Sequence, residues 1–370
     1  MCMNNMRKNM VKILLSIIII CCCVILCILN SITHKGIILE NWNDYYNENN
    51  IVFFYEDFSN EKIKVLEDMF DLKKISEDTM EELDKALEIV KICNKIVEYD
   101  DVNNYDGNSA YDILKEKGEN KKVSNHDLAV ITRDMLNAVN IKSRIGVFRS
   151  GDAQFKERYE YYIVEFWSVK YSKWIALDCI DAGYFMHGNT KLSAIEILNN
   201  KFRDVSYLGN STQKNYKNKL NAFLDSYSID IDNTIASGRS NSCVTYVKDE
   251  KALQIKYNNI FAKPTIFTTE NILFEKSPYD RRVGSDEKSY IILSLNNKQD
   301  KESDEAITEL IIAGFKDGKV MDDFYLNING GGYEEVKRYK VVQLEKGIMK
   351  IELSCDGQNV CSSLNIDKQK

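Results

Sequence analysis

The stretch from Val123 to Phe185 constrains the fold of this chain more than any other part of its sequence. Ser124 is suited to cap a helix N-terminus, and Asp127 follows it three residues later, as in a capping box. An apolar stripe at the helical period comes next, at Leu128, Ile131, Met135 and Val139. Three runs rich in aromatic and β-branched residues then predict strands at Ser143–Arg149, Tyr159–Ser168 and Lys173–Cys179. This order predicts an α+β core in which a helix packs on an antiparallel sheet.

A second region of different character follows this core. The chain has 370 residues, a length that favours two domains behind any anchor. Ile231–Ser242 is polar and contains Gly and Ser, so we predict a linker at 231–242. Beyond it, short strand-like runs separated by turn residues predict a β-sandwich over 243–370. The α+β domain is then expected to occupy 35–230.

The N-terminus carries a strongly apolar run, Ile13–Leu29, preceded by Arg7, Lys8 and Lys12. Its length lies at the short edge of the range of about 17–25 residues that spans a bilayer. Basic residues before the run favour a cytoplasmic N-terminus. A cleaved signal peptide is the alternative, but no small-x-small site follows Leu29. We therefore predict that residues 1–34 are a cytoplasmic tip and a single transmembrane anchor, contacting the membrane through residues 13–29, and that the rest lies outside the cell.

The charge distribution fits this division. Residues 1–32 hold three basic residues and no acidic ones, whereas the whole chain has a net charge of −7. The remainder, residues 33–370, therefore sums to −10. An acidic surface disfavours a nucleic-acid partner, because phosphate binding requires basic groups.

Cysteine usage argues against a metal site. Ten cysteines are present, and the five outside the N-terminal region are Cys93, Cys179, Cys243, Cys355 and Cys361. They are scattered and contain no C-x-x-C pair, so we expect no zinc site and no other cofactor. Cys93 and Cys179 lie in apolar patterns and are expected to be buried. Cys355 and Cys361 are close enough in sequence for a local disulfide, which the sequence alone does not establish.

Three short motifs occur inside the constraining stretch and just around it. The first motif is Asn125-His126-Asp127-Leu128-Ala129, and the predicted helix connects it to Asn140-Ile141-Lys142-Ser143-Arg144. The second motif consists of Tyr161, Glu165 and Trp167. The third motif is Trp174-x-x-x-Asp178. Together these patterns resemble the transglutaminase-like superfamily, whose fold is related to papain, and the segment after them, from Gly183 to Glu196, resembles its bacterial members. The resemblance covers roughly residues 75–200.

The resemblance implies a Cys–His–Asp triad, and at the matching positions this chain has Asn125, Tyr161 and Asp178. An amide lacks the nucleophilicity of a thiolate, and a phenol with a pKa near 10 is a poor base at neutral pH. Only the carboxylate that would orient the base survives. Each of these residues also has a purely structural interpretation: Asn125 as a helix-start residue, Tyr161 in sheet packing and Asp178 at a turn.

Three functional hypotheses follow. The first is a non-catalytic cell-surface protein that binds a wall peptide, a glycan or a protein, with aromatic contacts from Tyr159, Tyr161, Trp167 and Trp174. The second is an active hydrolase or acyl transferase that uses Asp178 with a non-standard base, His126. The third is a purely structural surface protein, in which bulky side chains fill the space between Asn125 and Tyr161. The first two expect the side chains at 125, 161 and 178 to meet in one pocket.

Overall fold

The structure, a computed structural model, describes most of the chain. The described residues are 20, 37–40, 44–100, 102–105, 107–117, 122–150, 160–200, 203–248, 254–255, 263–282, 284–299 and 306–368. The predicted anchor at Ile13–Leu29 lies outside these ranges, apart from Ile20. Within the described ranges, no helix combines the length and the apolar character needed to cross a bilayer.

The helices are concentrated in the first two thirds of the chain. They are α1 (Glu61–Met69), α2 (Lys73–Ser76), α3 (Glu82–Ile96), α4 (Ala110–Lys117), α5 (Asn125–Ala138), α6 (Ala194–Asn200), α7 (Gln213–Leu220) and α8 (Ile272–Glu275). A 3-10 helix of three residues, Asn221–Phe223, directly follows α7.

The central helix, α5, begins where the sequence predicts. The Ser124 hydroxyl accepts a hydrogen bond from the backbone N–H of Asp127 at 3.0 Å, which satisfies one of the free donors of the first turn. Helices α1, α3 and α4 pack around α5, and α5 itself packs on the sheet. As a result, α5 is buried on almost every side from Asp127 to Ala138.

The strands account for most of the remaining chain. They are β1 (Ile37–Glu40), β2 (Phe54–Tyr55), β3 (Glu98–Tyr99), β4 (Lys122–Val123), β5 (Ser143–Arg149), β6 (Glu160–Ser168), β7 (Lys173–Asp178), β8 (Gly183–His187), β9 (Thr190–Lys191), β10 (Val205–Leu208), β11 (Ser226–Asp230), β12 (Asp232–Asn233), β13 (Cys243–Val247), β14 (Gln254–Ile255), β15 (Thr265–Thr268), β16 (Tyr290–Gln299), β17 (Ala306–Lys316), β18 (Lys319–Val320), β19 (Asp323–Ile328), β20 (Tyr333–Lys337), β21 (Lys340–Gln343), β22 (Gly347–Ser354) and β23 (Val360–Lys368). The three strands predicted after α5 are β5, β6 and β7, and their bounds agree within one residue.

The largest sheet joins strands from both halves of the chain. Its order is β10-β8-β7-β6-β5-β11-β13-β15-β16-β17-β18, with β9 added to β8 and β21 added to β17. Strand β11 pairs with β5 on one side and β13 on the other, both antiparallel. The sheet therefore has no break at 231–242, where we predicted a linker, and Ile231, Asp232 and Asn233 are buried. The division of the chain into two domains stays a prediction.

The two faces of the large sheet carry different layers. Because side chains alternate along a strand, Val164 and Phe166 of β6 point towards α5, whereas Tyr161 and Ile163 point to the other side. We call these the helix face and the tyrosine face. The tyrosine face is covered by α6, α7 and the segment 46–55.

A second sheet, of six strands, packs on the far end of the large one. Its order is β14-β1-β23-β22-β19-β20. Leu353 and Ile366 of this sheet share one apolar core with Ile291 and Leu310 of the large sheet. The two sheets thus face each other across a common core in the C-terminal part, while the β-sandwich as a fold type stays a prediction for 243–370.

Candidate functional site

Asp178, the last residue of β7, is completely buried and accepts three hydrogen bonds. The Tyr161 hydroxyl donates to Oδ2 at 2.5 Å, and the Tyr216 hydroxyl donates to the same oxygen. The backbone N–H of Asp181 donates to Oδ1 at 2.8 Å, which closes the turn after β7. The structure therefore brings together two of the three predicted site residues, Tyr161 and Asp178.

Tyr216 is a member of this cluster that sequence reasoning missed. It lies on α7 and is one of only two buried residues of that helix, with Leu220 four positions later. Its ring stacks on that of Tyr207, with centroids 3.6 Å apart and planes at 7°. The i, i+4 spacing of Tyr216 and Leu220 on an otherwise polar helix was a usable indication of a buried contact, but it does not name the partner.

Bulky side chains fill the space around the carboxylate. The ring of Phe185 lies 5.6 Å from that of Tyr216, and Phe223 lies 5.6 Å from Tyr161. The ammonium of Lys219 sits 5.1 Å from the centre of the Tyr161 ring. We call Tyr161, Asp178, Tyr207 and Tyr216 the tyrosine cluster. It is a packed part of the core, which leaves Asp178 no contact with solvent.

The phenols of the tyrosine cluster are held in their neutral form. Burial, reinforced by the negative charge of Asp178, raises the pKa of Tyr161 and of Tyr216 well above the usual value of 10. Burial and the charges of Asp178 and Asp181 likewise raise the pKa of Tyr207. Phenols in this state donate hydrogen bonds but do not accept a proton from a substrate at neutral pH.

Asn125, the residue that the sequence resemblance places at the nucleophile position, has a different environment. Its side-chain oxygen accepts a hydrogen bond from the backbone N–H of Tyr162 at 2.7 Å, and its amide donates to the Tyr162 carbonyl at 3.0 Å. Strand β7 pairs with β6 only from Val164 onwards, so this amide satisfies the backbone of β6 where its partner strand has ended. Asn125 therefore fastens the start of α5 to the sheet.

Among the described residues, no hydrogen bond joins Asn125 to Tyr161 or Asp178. The Asn125 amide bonds to the backbone of Tyr162, whereas the Tyr161 hydroxyl donates to Asp178 on the tyrosine face. Because side chains alternate along β6, the side chains of Tyr161 and Tyr162 point to opposite faces of the sheet. The expectation that the side chains at 125, 161 and 178 meet in one pocket stays a prediction.

His126, the alternative base, is not a partner of Asp178. Its Nδ1 lies 3.5 Å from Oδ1 of Asp127, and its ring packs edge-on against that of Tyr162 at 5.0 Å. The donors to Asp178 are all accounted for by Tyr161, Tyr216 and the Asp181 backbone. The pairing of His126 with Asp178 that the second hypothesis requires does not occur in the described residues.

Two further motif residues, Arg144 and Glu165, form a buried ion pair. Their side chains are 1% and 0% exposed, and Nη2 of Arg144 lies 2.7 Å from Oε2 of Glu165. Glu165 also accepts hydrogen bonds from the Tyr227 hydroxyl and the Ala194 backbone. Arg144 donates to the Phe274 carbonyl, and its guanidinium lies 4.1 Å from the centre of a Trp174 ring. Arg144 and Glu165, which match the family pattern, are therefore part of the packed core.

The buried cysteines offer no replacement nucleophile. Cys93 and Cys179 are completely buried, as expected, and Cys179 lies on the helix face, opposite to Asp178. Burial raises the pKa of Cys93 to about 12, and it also raises the pKa of Cys179 and of Cys243. Such thiols carry almost no thiolate at neutral pH. Among the described residues, no group of three or more His, Cys, Asp or Glu side chains is placed to hold a metal ion.

A chain of half-buried polar side chains lies beside the start of α5 on the helix face. The Tyr162 hydroxyl donates to Glu160 at 2.9 Å, and Nε of Arg149 donates to the other Glu160 oxygen at 2.8 Å. Asn125 and His126 contact Tyr162 from the helix side. All five side chains are partly exposed. We call Asn125, His126, Arg149, Glu160 and Tyr162 the polar edge.

Comparison with known proteins supports the family assignment of the core. Residues 72–179 match the model of the Transglutaminase-like superfamily, and this range contains positions 125, 161 and 178. The chain therefore contains a transglutaminase-like domain, and the resemblance seen in the sequence is confirmed. No curated protein matches the chain.

Similar structures have also been solved. One is the crystal structure of a "Putative Cysteine Protease" from Cytophaga hutchinsonii, which is 15% identical with a TM-score of 0.26. The similarity covers 42% of this chain and 50% of the other, so this chain spans about half the length of that structure.

Proposed function

We propose that this protein is a non-catalytic member of the transglutaminase-like group that is anchored in the cell membrane and binds a ligand at the cell surface. Residues 13–29 form the anchor, the N-terminus is cytoplasmic, and residues 243–370 form a β-sandwich-like module outside the cell. The ligand is a wall peptide, a glycan or a surface protein, and it contacts the polar edge.

The absence of catalysis is supported above all by the environment of Asp178. Its carboxylate is completely buried and is shared by the hydroxyls of Tyr161 and Tyr216. A triad acid acts by orienting an imidazole that in turn contacts a nucleophile. Here phenols with raised pKa values occupy that position, and the amide of Asn125 is committed to the backbone of β6.

The polar edge is the part of the ancestral site region that remains accessible. It presents an imidazole, a phenol ring, a carboxylate and a guanidinium, which together supply donors, acceptors and an aromatic surface for a peptide or a sugar. The aromatic residues that we expected to contact a ligand lie elsewhere: Tyr161, Trp167 and Trp174 are buried in the tyrosine face, and Tyr159 lies outside the described residues. Binding is therefore assigned to the helix face.

Catalysis is tested with the full-length protein in detergent, using amide and peptide substrates with and without an added primary amine. We expect no product above the buffer blank. An Asp178→Asn variant distinguishes intrinsic activity from contamination. Product formation by the wild-type protein that disappears in this variant contradicts the proposal and restores the second hypothesis.

Binding is tested by calorimetric titration of the same protein with purified cell-wall muropeptides. His126→Ala should weaken binding about tenfold, on the order of one lost ring or hydrogen-bond contact of about 1.4 kcal/mol. His187→Ala is the matched control, since His187 is exposed at the end of β8 and contributes no side chain to the polar edge. An equal effect of both variants, or no effect of His126→Ala on a measurable affinity, refutes the role of the polar edge.

A structural role without any ligand is the second candidate, and one observation favours it. Aromatic rings (Phe185, Tyr207, Tyr216 and Phe223) pack around Asp178 and Tyr161, and Tyr161 is one end of the space that this hypothesis expects to be filled. The titration separates the two candidates: a purely structural protein binds no muropeptide, no glycan and no surface protein.

A further inference from the structure

Two thiols meet at the tip of the hairpin formed by β22 and β23. The sulfur atoms of Cys355 and Cys361 are 3.1 Å apart, and the residues are six positions apart in the chain. Cys355 is exposed and Cys361 is partly exposed, in contrast to Cys93, Cys179 and Cys243, which are buried. This is the one pair of thiols in the described residues for which the structure gives direct contact.

The local backbone explains why these thiols meet. The pairing of β22 with β23 shifts register between Leu353 and Ser354, because Leu353 pairs with Ser362 while Ser354 pairs with Val360. Cys361 is therefore the extra residue of a β-bulge. A bulge redirects its side chain away from the regular alternation, and here it places the Cys361 sulfur against that of Cys355.

The loop between the two cysteines is held by its own hydrogen bonds. Asp356 Oδ1 accepts from the backbone N–H groups of Gln358 and Asn359 at 2.8 Å each and from the Ser354 hydroxyl at 2.9 Å. The Ser354 hydroxyl in turn accepts from the Gly357 N–H at 3.0 Å. The loop is thus already ordered with the thiols together, so that closing a bond between them costs little conformational entropy.

We propose that Cys355 and Cys361 are a redox-active pair that closes to an intramolecular disulfide on contact with a disulfide oxidant. The exposed Cys355 loses its proton and attacks one sulfur of the oxidant, which forms a mixed disulfide and releases one thiol. The thiolate of Cys361 then attacks the Cys355 sulfur, forms the Cys355–Cys361 bond and releases the second thiol. Two cysteine thiols are oxidised and one oxidant disulfide is reduced to two thiols.

The order of attack follows from exposure. Burial raises the pKa of Cys361, and Cys355 is the more exposed thiol of the pair, so an oxidant in solution reaches Cys355 first. The Ser289 hydroxyl, next to the start of β16, lies within hydrogen-bond distance of the Cys355 sulfur, at 3.0 Å. This inference concerns residues that are not part of the polar edge, and it does not depend on the proposed function.

The sequence makes the test direct. Trypsin releases residues 351–368 as one peptide, since no Lys or Arg lies between Lys350 and Lys368, and this peptide contains both thiols and no other cysteine. The full-length protein is equilibrated with an excess of oxidised over reduced glutathione and alkylated with iodoacetamide under native conditions. It is then digested with trypsin, and the mass of the 351–368 peptide is measured by mass spectrometry. We expect a peptide that lacks two hydrogens and carries no alkyl group, and that takes up two alkyl groups after reduction.

Two variants make the result decisive. Cys355→Ser should leave Cys361 alkylated or joined to glutathione, and Asp356→Ala should lower the equilibrium constant for closure several-fold by releasing the loop. Peptides containing Cys93, Cys179 and Cys243 should stay unalkylated, which verifies that the protein is folded. Two alkyl groups on the wild-type peptide in the oxidising buffer, or a stable glutathione adduct on Cys355 without closure, overturns the proposal.

Discussion

Removing one hydroxyl from the tyrosine cluster measures how much a hydrogen bond to Asp178 contributes to stability. Tyr216→Phe deletes the donor to Asp178 Oδ2 but keeps the ring that stacks on Tyr207 at 3.6 Å. A hydrogen bond to a charged group contributes about 1.5–3 kcal/mol to stability, and an exposed substitution usually changes it by less than about 0.5 kcal/mol. We therefore expect the free energy of unfolding to fall by about 2 kcal/mol.

The double variant sharpens this expectation. Tyr161 and Tyr216 donate to the same oxygen, so either single variant leaves Oδ2 one donor, whereas Tyr161→Phe with Tyr216→Phe leaves it none. A buried acceptor without a donor loses its full solvation. The double variant should cost more than the sum of the two single variants, by about 0.5–3 kcal/mol.

Urea unfolding followed by tryptophan fluorescence provides the assay, with the midpoint expected to fall and the slope to stay constant. Tyr279→Phe is the matched control, because Tyr279 is 56% exposed. If Tyr216→Phe costs no more than Tyr279→Phe, or if the two single effects simply add, then the phenols do not hold the Asp178 carboxylate and the account of the tyrosine cluster is refuted.

Three further outcomes are expected. The pKa values of Tyr161 and Tyr216 lie above the value of 10 for an exposed tyrosine, so these phenols lose their protons at a lower pH in the unfolded chain than in the folded one. The free energy of unfolding should therefore not depend on these phenols below pH 10 and should fall above pH 10 by about 1.4 kcal/mol per pH unit for each phenol. An absorbance titration in which all tyrosines of the folded protein ionise normally would contradict this. Glu165→Gln leaves the buried Arg144 without its ion-pair partner and should lower the free energy of unfolding in urea by about 3–5 kcal/mol. Changing both residues to Met should recover part of that loss. If the double change instead costs as much as the sum of the two single changes, the ion pair is refuted. Ser124→Ala should cost about 1 kcal/mol, whereas Thr212→Ala, at a helix start without a side-chain cap bond, should cost less, and equal costs refute the cap.

The sequence by itself determined the local structure of the core. The capping serine at 124, the apolar period of α5 and the strand composition of β5, β6 and β7 depend on residues close together in the chain, and the structure has these elements where they were predicted. The family resemblance also implied that Tyr161 and Asp178 lie together, and in the structure the Tyr161 hydroxyl donates to Asp178. Such features are readable because period and capping are properties of one segment.

Tertiary structure decided what those residues do. Tyr216 lies 38 positions from Asp178, and no local pattern indicates that its hydroxyl completes the carboxylate's shell. Likewise, only the docking of α5 on the sheet shows that Asn125 bonds to the backbone at 162 and not to the side chain at 161. The face on which a side chain lies depends on strand register, and the partner it meets there depends on how distant segments pack, so neither is encoded in any short stretch of sequence.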